Sequence, residues 1–232
     1  MIEDYTLEGL GSVYQNAYIM SMAEKRLNIH MQFIERLSLA IKGRFGEKQW
    51  NSDSPKELAA VSLVLSRNSN DINLLFMRRP LKKDDTFSGQ VCFPGGKKEP
   101  EDHTLLETAI RETKEEVGID LNKEKAFYIG KLSNQIPIHP DSKEIAVTPY
   151  VFYKEQHGFT RVHTLEVESL CWIPLSNFLK SNFHIKTVIA ILNGLEVDAY
   201  KIPLSNDCYI IWGLTYRILQ EFLSVWLSIN KK

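Results

Sequence analysis

The stretch Arg111-Glu112-Thr113-Lys114-Glu115-Glu116-Val117-Gly118-Ile119 decides how the rest of the chain is interpreted. On a helix, Glu112, Glu115 and Glu116 are related by spacings of three and four, so their carboxylates share one face. The opposite face carries small and apolar residues that can seat the helix on a sheet: Leu106, Ala109, Ile110, Thr113 and Val117. The pattern predicts an amphipathic helix with one acidic face.

This concentration of acidic residues is unfavourable for the helix itself. Like charges at these spacings repel by about 0.2–0.5 kcal/mol per pair, and Glu115 and Glu116 stand in the last turn, where the helix dipole favours a cation. A divalent cation reverses the problem, because clustered hard oxygens are the ligands that magnesium requires. Since glutamate-rich helix faces are more often solvated surface, the triplet alone does not decide between a surface and a metal site.

The sequence before the helix favours the metal site. Gly95-Gly96 follows a predicted strand, and glycine allows the backbone to approach a phosphate or a metal closely. The helix is predicted over about Leu105 to Val117, because Thr104 and Glu107 form a capping box and Gly118 stands where a left-handed C-cap belongs. The turn and the helix together indicate a site for a metal-bound phosphate.

Residues 96 to 119 resemble the Nudix box, which reads glycine, five residues, Glu, seven residues, and then Arg-Glu-apolar-x-Glu-Glu-x-Gly-apolar. The second half is intact, with Thr113 in place of the usual aliphatic residue. The first half departs further. The interval from Gly96 to Arg111 is one residue longer than in the box, and Asp102 stands about where the first Glu is expected. Asp102 is expected either to take the place of that Glu or to serve only as a helix cap or a brace for the loop.

The approach to the box indicates one branch of the family. Residues 88 to 102 resemble the coenzyme A pyrophosphatase branch, which has a similar Gly-x-Val-x-Phe-Pro-Gly-Gly segment and a lengthened acidic loop. Residues 74 to 78 resemble the Leu-Leu-x-x-Arg element of that branch, although the interval from Arg78 to Gly89 is two residues longer than its pattern. The resemblance covers about residues 58 to 227 and leaves the N-terminal segment outside.

The resemblance implies the residues of the site. Magnesium, with manganese as a possible substitute, would be held by Glu112, Glu115, Glu116 and the Gly95 carbonyl. The implied catalytic set comprises these three glutamates, Arg111, which can fix a flanking glutamate by pairing with it, and Glu166. Glu166 stands where related enzymes place a downstream acidic residue, and a surface carboxylate is its alternative interpretation. The expected substrate-binding residues are Arg78, Arg79, Gly96 and Lys97.

The implied activity is magnesium-dependent hydrolysis of the diphosphate bond in a nucleotide-linked substrate, with coenzyme A or a derivative favoured. ADP-ribose, a dinucleoside polyphosphate or a nucleoside triphosphate would use the same helix. A basic cluster could hold the 3′-phosphate of coenzyme A, or could be a solvated loop balanced by neighbouring aspartates: Arg78, Arg79, Lys82 and Lys83. A nucleotide-binding module without catalysis is the alternative from another class, but such a module is expected to lose some of the box carboxylates. A helical interaction protein, suggested by the N-terminal segment, is a further alternative.

The patterning of apolar residues predicts an α/β fold. Helices are expected at residues 12 to 45, 105 to 117, 176 to 192 and 214 to 227, and strands at 59 to 65, 72 to 77, 90 to 93, 126 to 132, 145 to 153 and 167 to 173, with a short strand pair within 200 to 211. Together with the resemblance, this predicts a Nudix-type α/β/α sandwich with a mixed sheet in residues 58 to 232. Residues 1 to 57 are expected to form an N-terminal helical extension and linker.

Composition and charge exclude several partners. The net charge of −1 provides no long-range field for nucleic acid or an anionic membrane, so neither is expected as a partner. The sequence contains no stretch of about 18 apolar residues, so no membrane-spanning helix is predicted. Three widely spaced cysteines predict reduced thiols in a reducing compartment, and the cytoplasm is the expected location. A homodimer is possible through the apolar stripe of the N-terminal segment.

Overall fold

The computed structural model describes residues 31–45, 57–68, 71–83, 88–123, 125–137, 145–155, 165–189, 194–203 and 208–230. Helix α1 covers residues 31–45, so the predicted helix is confirmed there, and its part from 12 to 30 lies outside the described residues. The remaining helices are α2 (Leu105–Val117), α3 (Leu175–Phe178) and α4 (Gly213–Asn230). The strands are β1 (Glu57–Asn68), β2 (Asp71–Arg78), β3 (Val91–Cys92), β4 (Gly95–Lys97), β5 (Ala126–Lys131), β6 (Ile145–Lys154), β7 (Ser169–Pro174), β8 (His184–Ile189), β9 (Leu195–Pro203) and β10 (Cys208–Ile211).

The larger sheet is mixed, as predicted. Its main order is β3-β2-β1-β6-β5, with β4 pairing on β1 and β7 on β2. The long strands β1 and β6 run parallel, with Val61 opposite Pro149, whereas every other described pair in this sheet is antiparallel. The double-glycine strand β4 therefore lies directly against the central strand, with Gly95 opposite Val61 and Gly96 opposite Ala60.

Successive residues of β1 point to opposite faces of the sheet and divide the core in two. Leu63 and Leu65 belong to an apolar cluster that includes residues of α1 and α4. Ala60 and Val64 belong to a second cluster that includes Ala109 of α2. Helices thus cover both faces of the sheet, and the predicted α/β/α sandwich is confirmed.

Helix α1 packs its apolar stripe on the face opposite α2. Ile34, Leu37 and Ile41 are buried there, and the Ser38 hydroxyl donates to the Ile129 carbonyl at 2.8 Å. The spacing of three and four between the apolar residues is the reason that one side of the helix can be buried completely. The stripe therefore covers the sheet, whereas the proposed division into a helical extension and a domain from residue 58 stays a prediction.

The predicted helix from Ser176 to Leu192 is wrong. Helix α3 ends at Phe178, a 3-10 turn follows at Ser181–Phe183, and the chain then forms strand β8. Ile185, Thr187, Val188 and Ile189 are branched at Cβ, which favours an extended backbone, and exposure alternates along the strand as a strand requires. Strands β8, β9 and β10 form a second, three-stranded antiparallel sheet, and the short strand pair predicted within residues 200 to 211 is confirmed as part of it.

Candidate active site

Helix α2 begins and ends at the residues that the capping signals predict. The Thr104 side chain accepts a hydrogen bond from the Glu107 amide at 3.2 Å, and the Glu107 carboxylate accepts one from the His103 amide at 2.7 Å. At the other end, Gly118 is left-handed with φ 74°, and its amide donates to the Lys114 carbonyl at 3.1 Å. These bonds satisfy terminal backbone groups of α2. They also fix the position of its C-terminal part with Glu112, Glu115 and Glu116, called the acidic turn below, relative to the sheet.

A buried hydroxyl pair seats α2 on strand β1. The Ser62 hydroxyl donates to the Ala109 carbonyl at 3.0 Å, and the Thr113 hydroxyl lies 2.7 Å from the Ser62 oxygen. Both side chains are fully buried. Thr113 replaces an aliphatic residue of the box, and Ser62 supplies the hydrogen-bond partner that a buried threonine needs.

Glu116 is held against the double-glycine strand. Its Oε2 accepts a hydrogen bond from the Gly95 amide at 2.8 Å, and the residue is only 4% exposed. Gly95 has φ 153°, and a Cβ there would collide with the Ala60 carbonyl oxygen and with Val61. Only glycine therefore allows the strand to lie close enough to β1 and to present its amide to the carboxylate.

Glu112 contacts the second glycine. A Cβ at Gly96 would collide with the Glu112 carboxylate, so this carboxylate lies directly on the glycine surface. The Glu112 pKa is raised, mainly because the carboxylate is partly removed from water. The two glycines and two glutamates thus form one compact polar surface between α2 and β4.

Arg111 connects the acidic residues of the site. Its Nη1 donates to Glu112 Oε1 and to Glu115 Oε2, both at 3.0 Å, and its Nη2 donates to the Lys97 carbonyl at 3.1 Å. Glu115 is the most exposed of the three box glutamates, with 52% of its side chain accessible. The expected pairing of Arg111 with a flanking glutamate is therefore present, and it involves two of them.

Asp102 anchors Arg111 from the lengthened loop. Its Oδ1 accepts from Arg111 Nε at 3.1 Å, and its Oδ2 accepts from Arg111 Nη2 at 3.0 Å, from the Thr108 hydroxyl at 2.9 Å and from the Glu99 amide at 3.0 Å. The Arg111 guanidinium holds the Asp102 pKa well below its usual range. Of the roles considered for Asp102, bracing the loop is the one that the structure bears out, and the brace extends to Arg111.

The electrostatics of the site centre on Glu116. Burial raises its pKa to about 8, the neighbouring Glu112 and Glu166 add to the rise, and the Gly95 hydrogen bond and the charge of Arg79 oppose it. A carboxylate with this pKa lacks enough positive charge nearby to remain ionised easily. The effects of Glu166 and Arg79 also place both side chains in the neighbourhood of Glu116.

The end of strand β2 brings the distant Glu166 to the site. The Glu168 amide donates to the Arg78 carbonyl at 2.8 Å, and Glu168 Oε2 lies 3.3 Å from Arg78 Nε. These contacts fix the segment before β7 beside Arg78 and Arg79, and Glu166 is exposed on that segment. Glu166, 50 residues after Glu116, therefore joins the acidic helix through the sheet rather than through local sequence.

The expected substrate-binding residues occupy different surroundings. Lys97 Nζ lies 2.8 Å from Glu57 Oε2 in an exposed ion pair, and Arg78 pairs with Glu168. Arg79 is the expected basic residue whose charge acts on Glu116. Lys82 and Lys83 are exposed. The basic cluster is thus divided, with Arg79 nearest the acidic turn.

The side chains fit a divalent cation. As arranged, no three acidic, imidazole or thiol groups within the described ranges are gathered closely enough to hold an ion, and Arg111 is hydrogen-bonded to both Glu112 and Glu115. Glu116 and Glu112 are nevertheless carboxylates with raised pKa values, side by side on the double-glycine strand β4. Carboxylate oxygens are the hard ligands that Mg²⁺ binds best, and the buried Glu116 carboxylate has too little positive charge nearby to be ionised easily, so the donor set suits this ion.

Sequence reasoning missed three contributors to the site. Ser62 and Thr108 become visible only when β1 and the loop are folded against α2. Glu168 fixes the segment that carries Glu166. The signal available for Asp102 was its place near the first Glu of the box, but its partner could not be derived from spacing alone.

Comparisons with known proteins identify the family of the chain. A model of the NUDIX domain matches residues 56–190, more than half of the chain. The chain is similar to the probable nudix hydrolase C6G9.05 of Schizosaccharomyces pombe, with 28% identity over 75% of this chain and 57% of the relative. It is 30% identical to the peroxisomal coenzyme A diphosphatase NUDT7 of Mus musculus over 56% of this chain and 54% of the relative.

Among solved structures, a MutT/nudix family protein from Enterococcus faecalis aligns with a TM-score of 0.49 and 16% identity, covering 78% of this chain and 65% of the other. The chain spans little more than half the length of the two curated relatives named above. The family model matches more than half of the chain, and the structure contains the acidic helix beside the double-glycine strand. This chain belongs to the Nudix family.

Proposed function

We propose that this protein is a magnesium-dependent pyrophosphohydrolase that cleaves the diphosphate bond of a nucleotide-linked substrate, with coenzyme A or a derivative as the favoured substrate. The observation that carries the proposal is the buried Glu116 carboxylate, bonded to the Gly95 amide beside Glu112 and with a pKa raised to about 8. A desolvated pair of acids on the double-glycine strand does little to stabilise the fold, whereas it is well suited to bind a cation.

Glu112, Glu115 and Glu116, with the Gly95 carbonyl, would hold the metal. Bound there, Mg²⁺, or Mn²⁺ in its place, supplies the positive charge that offsets the diphosphate and lowers the pKa of a water. Arg111 sets the orientations of Glu112 and Glu115, while Asp102 fixes Arg111.

Further residues act on the substrate side. Arg79 contributes positive charge beside Glu116, where phosphate oxygens would lie. Glu166 is exposed and near Glu116, so it can take a proton from the attacking water, as Glu112 also can. Gly96 and the Lys97 backbone provide a surface free of side chains for close approach of phosphate.

The coenzyme A assignment rests on two observations. Residues 88 to 102 resemble the coenzyme A pyrophosphatase branch, and NUDT7, a relative at 30% identity, is named as a coenzyme A diphosphatase.

Among the described residues, no helix is long and apolar enough to cross a bilayer. The cytoplasm remains the predicted compartment, although NUDT7 is named as peroxisomal.

The test is a panel of substrates incubated with the full chain and Mg²⁺, with products separated by chromatography. Coenzyme A, ADP-ribose, a dinucleoside polyphosphate and nucleoside triphosphates are compared, each with and without chelator. Coenzyme A is expected to give two phosphate-containing products, and chelator is expected to stop the reaction. Binding across the panel without turnover would instead support the non-catalytic module.

Variants connect turnover to the proposed ligands. Glu115→Gln and Glu116→Gln are each expected to lower kcat by about 100-fold or more, the scale of losing one key electrostatic group. Glu101→Gln is the matched control, because Glu101 is an exposed acid of the neighbouring loop outside the proposed ligand set. Full magnesium-dependent turnover in either box variant would contradict the ligand assignment.

A further inference from the structure

A groove of about 250 Å³ separates the end of β2 from the second sheet. It is lined mainly by apolar side chains of β3, β8, β10 and the residue after β10: Val91, Val188, Ile189, Cys208, Ile210 and Trp212. Arg78 and Gln90 contribute polar groups on the side of the larger sheet. None of the residues of the acidic turn lines this groove, so it is a separate surface.

Exposed apolar area in the groove indicates an occupant. Val188, an apolar residue that lines the groove, is 63% exposed on the solvent-facing side of β8. Exposed apolar walls beside polar groups are typical of ligand sites. The volume suits one arm of a nucleotide-linked substrate rather than the whole molecule, because pockets that enclose complete ligands are typically about 300–1,000 Å³.

The groove and the acidic turn lie on either side of one strand end. Arg78 lines the groove, whereas the charge of the next residue, Arg79, acts on Glu116. The Arg79 amide also donates to the carbonyl of Gln90, another groove residue, at 2.9 Å. Val91 and Gly95 are four residues apart, so at most roughly 14 Å of chain separates the groove from the glycine turn. A substrate with its diphosphate at the turn can therefore extend an arm around this strand end.

The lining selects the chemistry of the arm. The Arg78 charge is already offset by Glu168 at 3.3 Å, so the groove has little uncompensated positive charge for a phosphate. One aromatic ring, that of Trp212, stands among aliphatic walls, which favour an alkyl chain over a flat base. Gln90 and Arg78 can hydrogen-bond amides along that chain.

We infer that this groove binds the uncharged alkyl-amide arm of the substrate, an arm of the pantetheine type, and thereby selects substrates that carry one. The inference rests on the proposed function and adds a specificity site to it. Nucleotide diphosphates without such an arm would leave the apolar walls in contact with water and would bind less tightly.

Alkylation of Cys208 tests the occupant directly. N-ethylmaleimide is applied to the full chain, and modified peptides are identified by mass spectrometry; Cys92, with a pKa raised to about 12, and Cys171, whose pKa is also raised by burial, should react slowly. S-acetyl-pantetheine, at about ten times its dissociation constant, is expected to slow Cys208 modification about tenfold, since only the unliganded fraction reacts. Adenosine 3′,5′-bisphosphate, the other half of coenzyme A, should give no protection.

A charge placed on the groove wall provides the second measurement. Val188→Asp is expected to lower kcat/KM for coenzyme A about tenfold, mainly through KM, because a carboxylate is costly against an apolar arm. Leu195→Glu is the matched control: Leu195 is 56% exposed on the neighbouring strand and does not line the groove.

The outcomes separate the inference from the proposed function. Protection of Cys208 by the adenosine half, protection by neither half, or equal effects of the two charge variants would overturn the groove assignment, even with coenzyme A hydrolysed. Coenzyme A left intact while S-acetyl-pantetheine still protects Cys208 would overturn the proposed substrate and leave the groove as an alkyl-amide site.

Discussion

Asp102 and Arg111 form a two-point interaction, with Nε donating to Oδ1 at 3.1 Å and Nη2 donating to Oδ2 at 3.0 Å. Asp102 is 5% exposed, and the same guanidinium reaches Glu112 and Glu115 through Nη1. The loop acid thus fixes the arginine, and the arginine fixes two of the proposed metal ligands. We therefore expect Asp102 to act as a positioning residue, because its hydrogen bonds to Arg111 connect it to the proposed ligands Glu112 and Glu115.

Asp102→Asn is expected to lower both stability and turnover. The neutral amide leaves the buried side of Arg111 without its partner charge, at a cost of about 3 kcal/mol, on the scale of breaking a buried ion pair. Turnover should fall as Glu112 and Glu115 lose their fixed orientation, with a weaker response to Mg²⁺. Urea unfolding and a Mg²⁺ titration of kcat measure the two effects.

Asp102→Glu serves as the control, because glutamate is the residue expected at this place in the box. Compared with Asp102→Asn, the Asp102→Glu variant is expected to regain both the stability and the Mg²⁺ response of the wild type. If Asp102→Asn unfolded more easily yet kept the wild-type Mg²⁺ titration, Asp102 would be a loop brace without influence on the ligands.

How far this site could be predicted depends on how local its signals are. The common face of Glu112, Glu115 and Glu116, and the caps at Thr104 and Gly118, follow from spacings within one helix, and the structure contains both caps. The same spacing does not tell which of the glutamates is buried. Glu116 is buried on the double-glycine strand, whereas Glu115 is half exposed. That difference depends on how α2 lies on β1, which local periodicity does not encode.

Long-range partners explain the remaining differences from the sequence-based expectations. Ser62 and Thr113 are 51 residues apart and meet only because β1 lies under α2. The error at residues 184 to 189 has another cause: a short apolar run fits a buried helix as well as a strand. Pairing with β9, which gives each strand its hydrogen-bond partner, decides the outcome in favour of β8.

We expect Glu116 to make both the stability of the protein and its affinity for Mg²⁺ depend on pH. Burial raises its pKa in the folded protein to about 8, from an ordinary value of 4.5, so the folded state keeps a proton that the unfolded state releases. Without metal, stability is therefore greatest below about pH 4.5 as far as this group is concerned, and it is lost progressively as the pH rises to about 8. Mg²⁺ competes with that proton, so its apparent affinity should rise up to about tenfold per pH unit between pH 6 and 8.

Thermal unfolding between pH 6 and 8, with and without Mg²⁺, measures this coupling. The stabilisation by Mg²⁺ is expected to grow with pH in the wild type. In Glu116→Gln, whose side chain has the same shape but no ionisable group, the stabilisation should be small and independent of pH. An equal Mg²⁺ effect at both ends of the range would mean that Glu116 does not exchange a proton for the metal.

Gly95 and Gly96 are expected to respond differently to alanine. At Gly95 the new Cβ would collide with the backbone of β1 at Ala60 and Val61, and φ is 153°, so Gly95→Ala should destabilise the fold by several kcal/mol. At Gly96 the new Cβ would meet the end of the flexible Glu112 side chain, which can move away. Gly96→Ala should therefore keep most of the stability and lose most of the activity.

Circular dichroism melts together with kcat for both variants check this contrast. A second substitution, Glu112→Ala in the Gly96→Ala background, removes the clash and should restore the melting temperature but not the turnover. An active Gly96→Ala variant would show that the position of Glu112 on the glycine surface is unimportant for the reaction.

Two leucines of α1 test what the N-terminal helix contributes. Leu37 is fully buried in the cluster that joins α1, the sheet and α4, whereas Leu39, two residues away, is 70% exposed. Leu37→Ala should cost about 2–5 kcal/mol of unfolding free energy through lost burial and the cavity left behind, and Leu39→Ala should cost less than about 0.5 kcal/mol. If α1 instead served mainly as a contact between two copies, Leu39→Ala would shift the mass measured by light scattering while Leu37→Ala left unfolding unchanged. Because Leu37, Ile34 and Ile41 are buried against the face of the sheet opposite α2, we expect the loss of stability at Leu37 and an unchanged mass at Leu39.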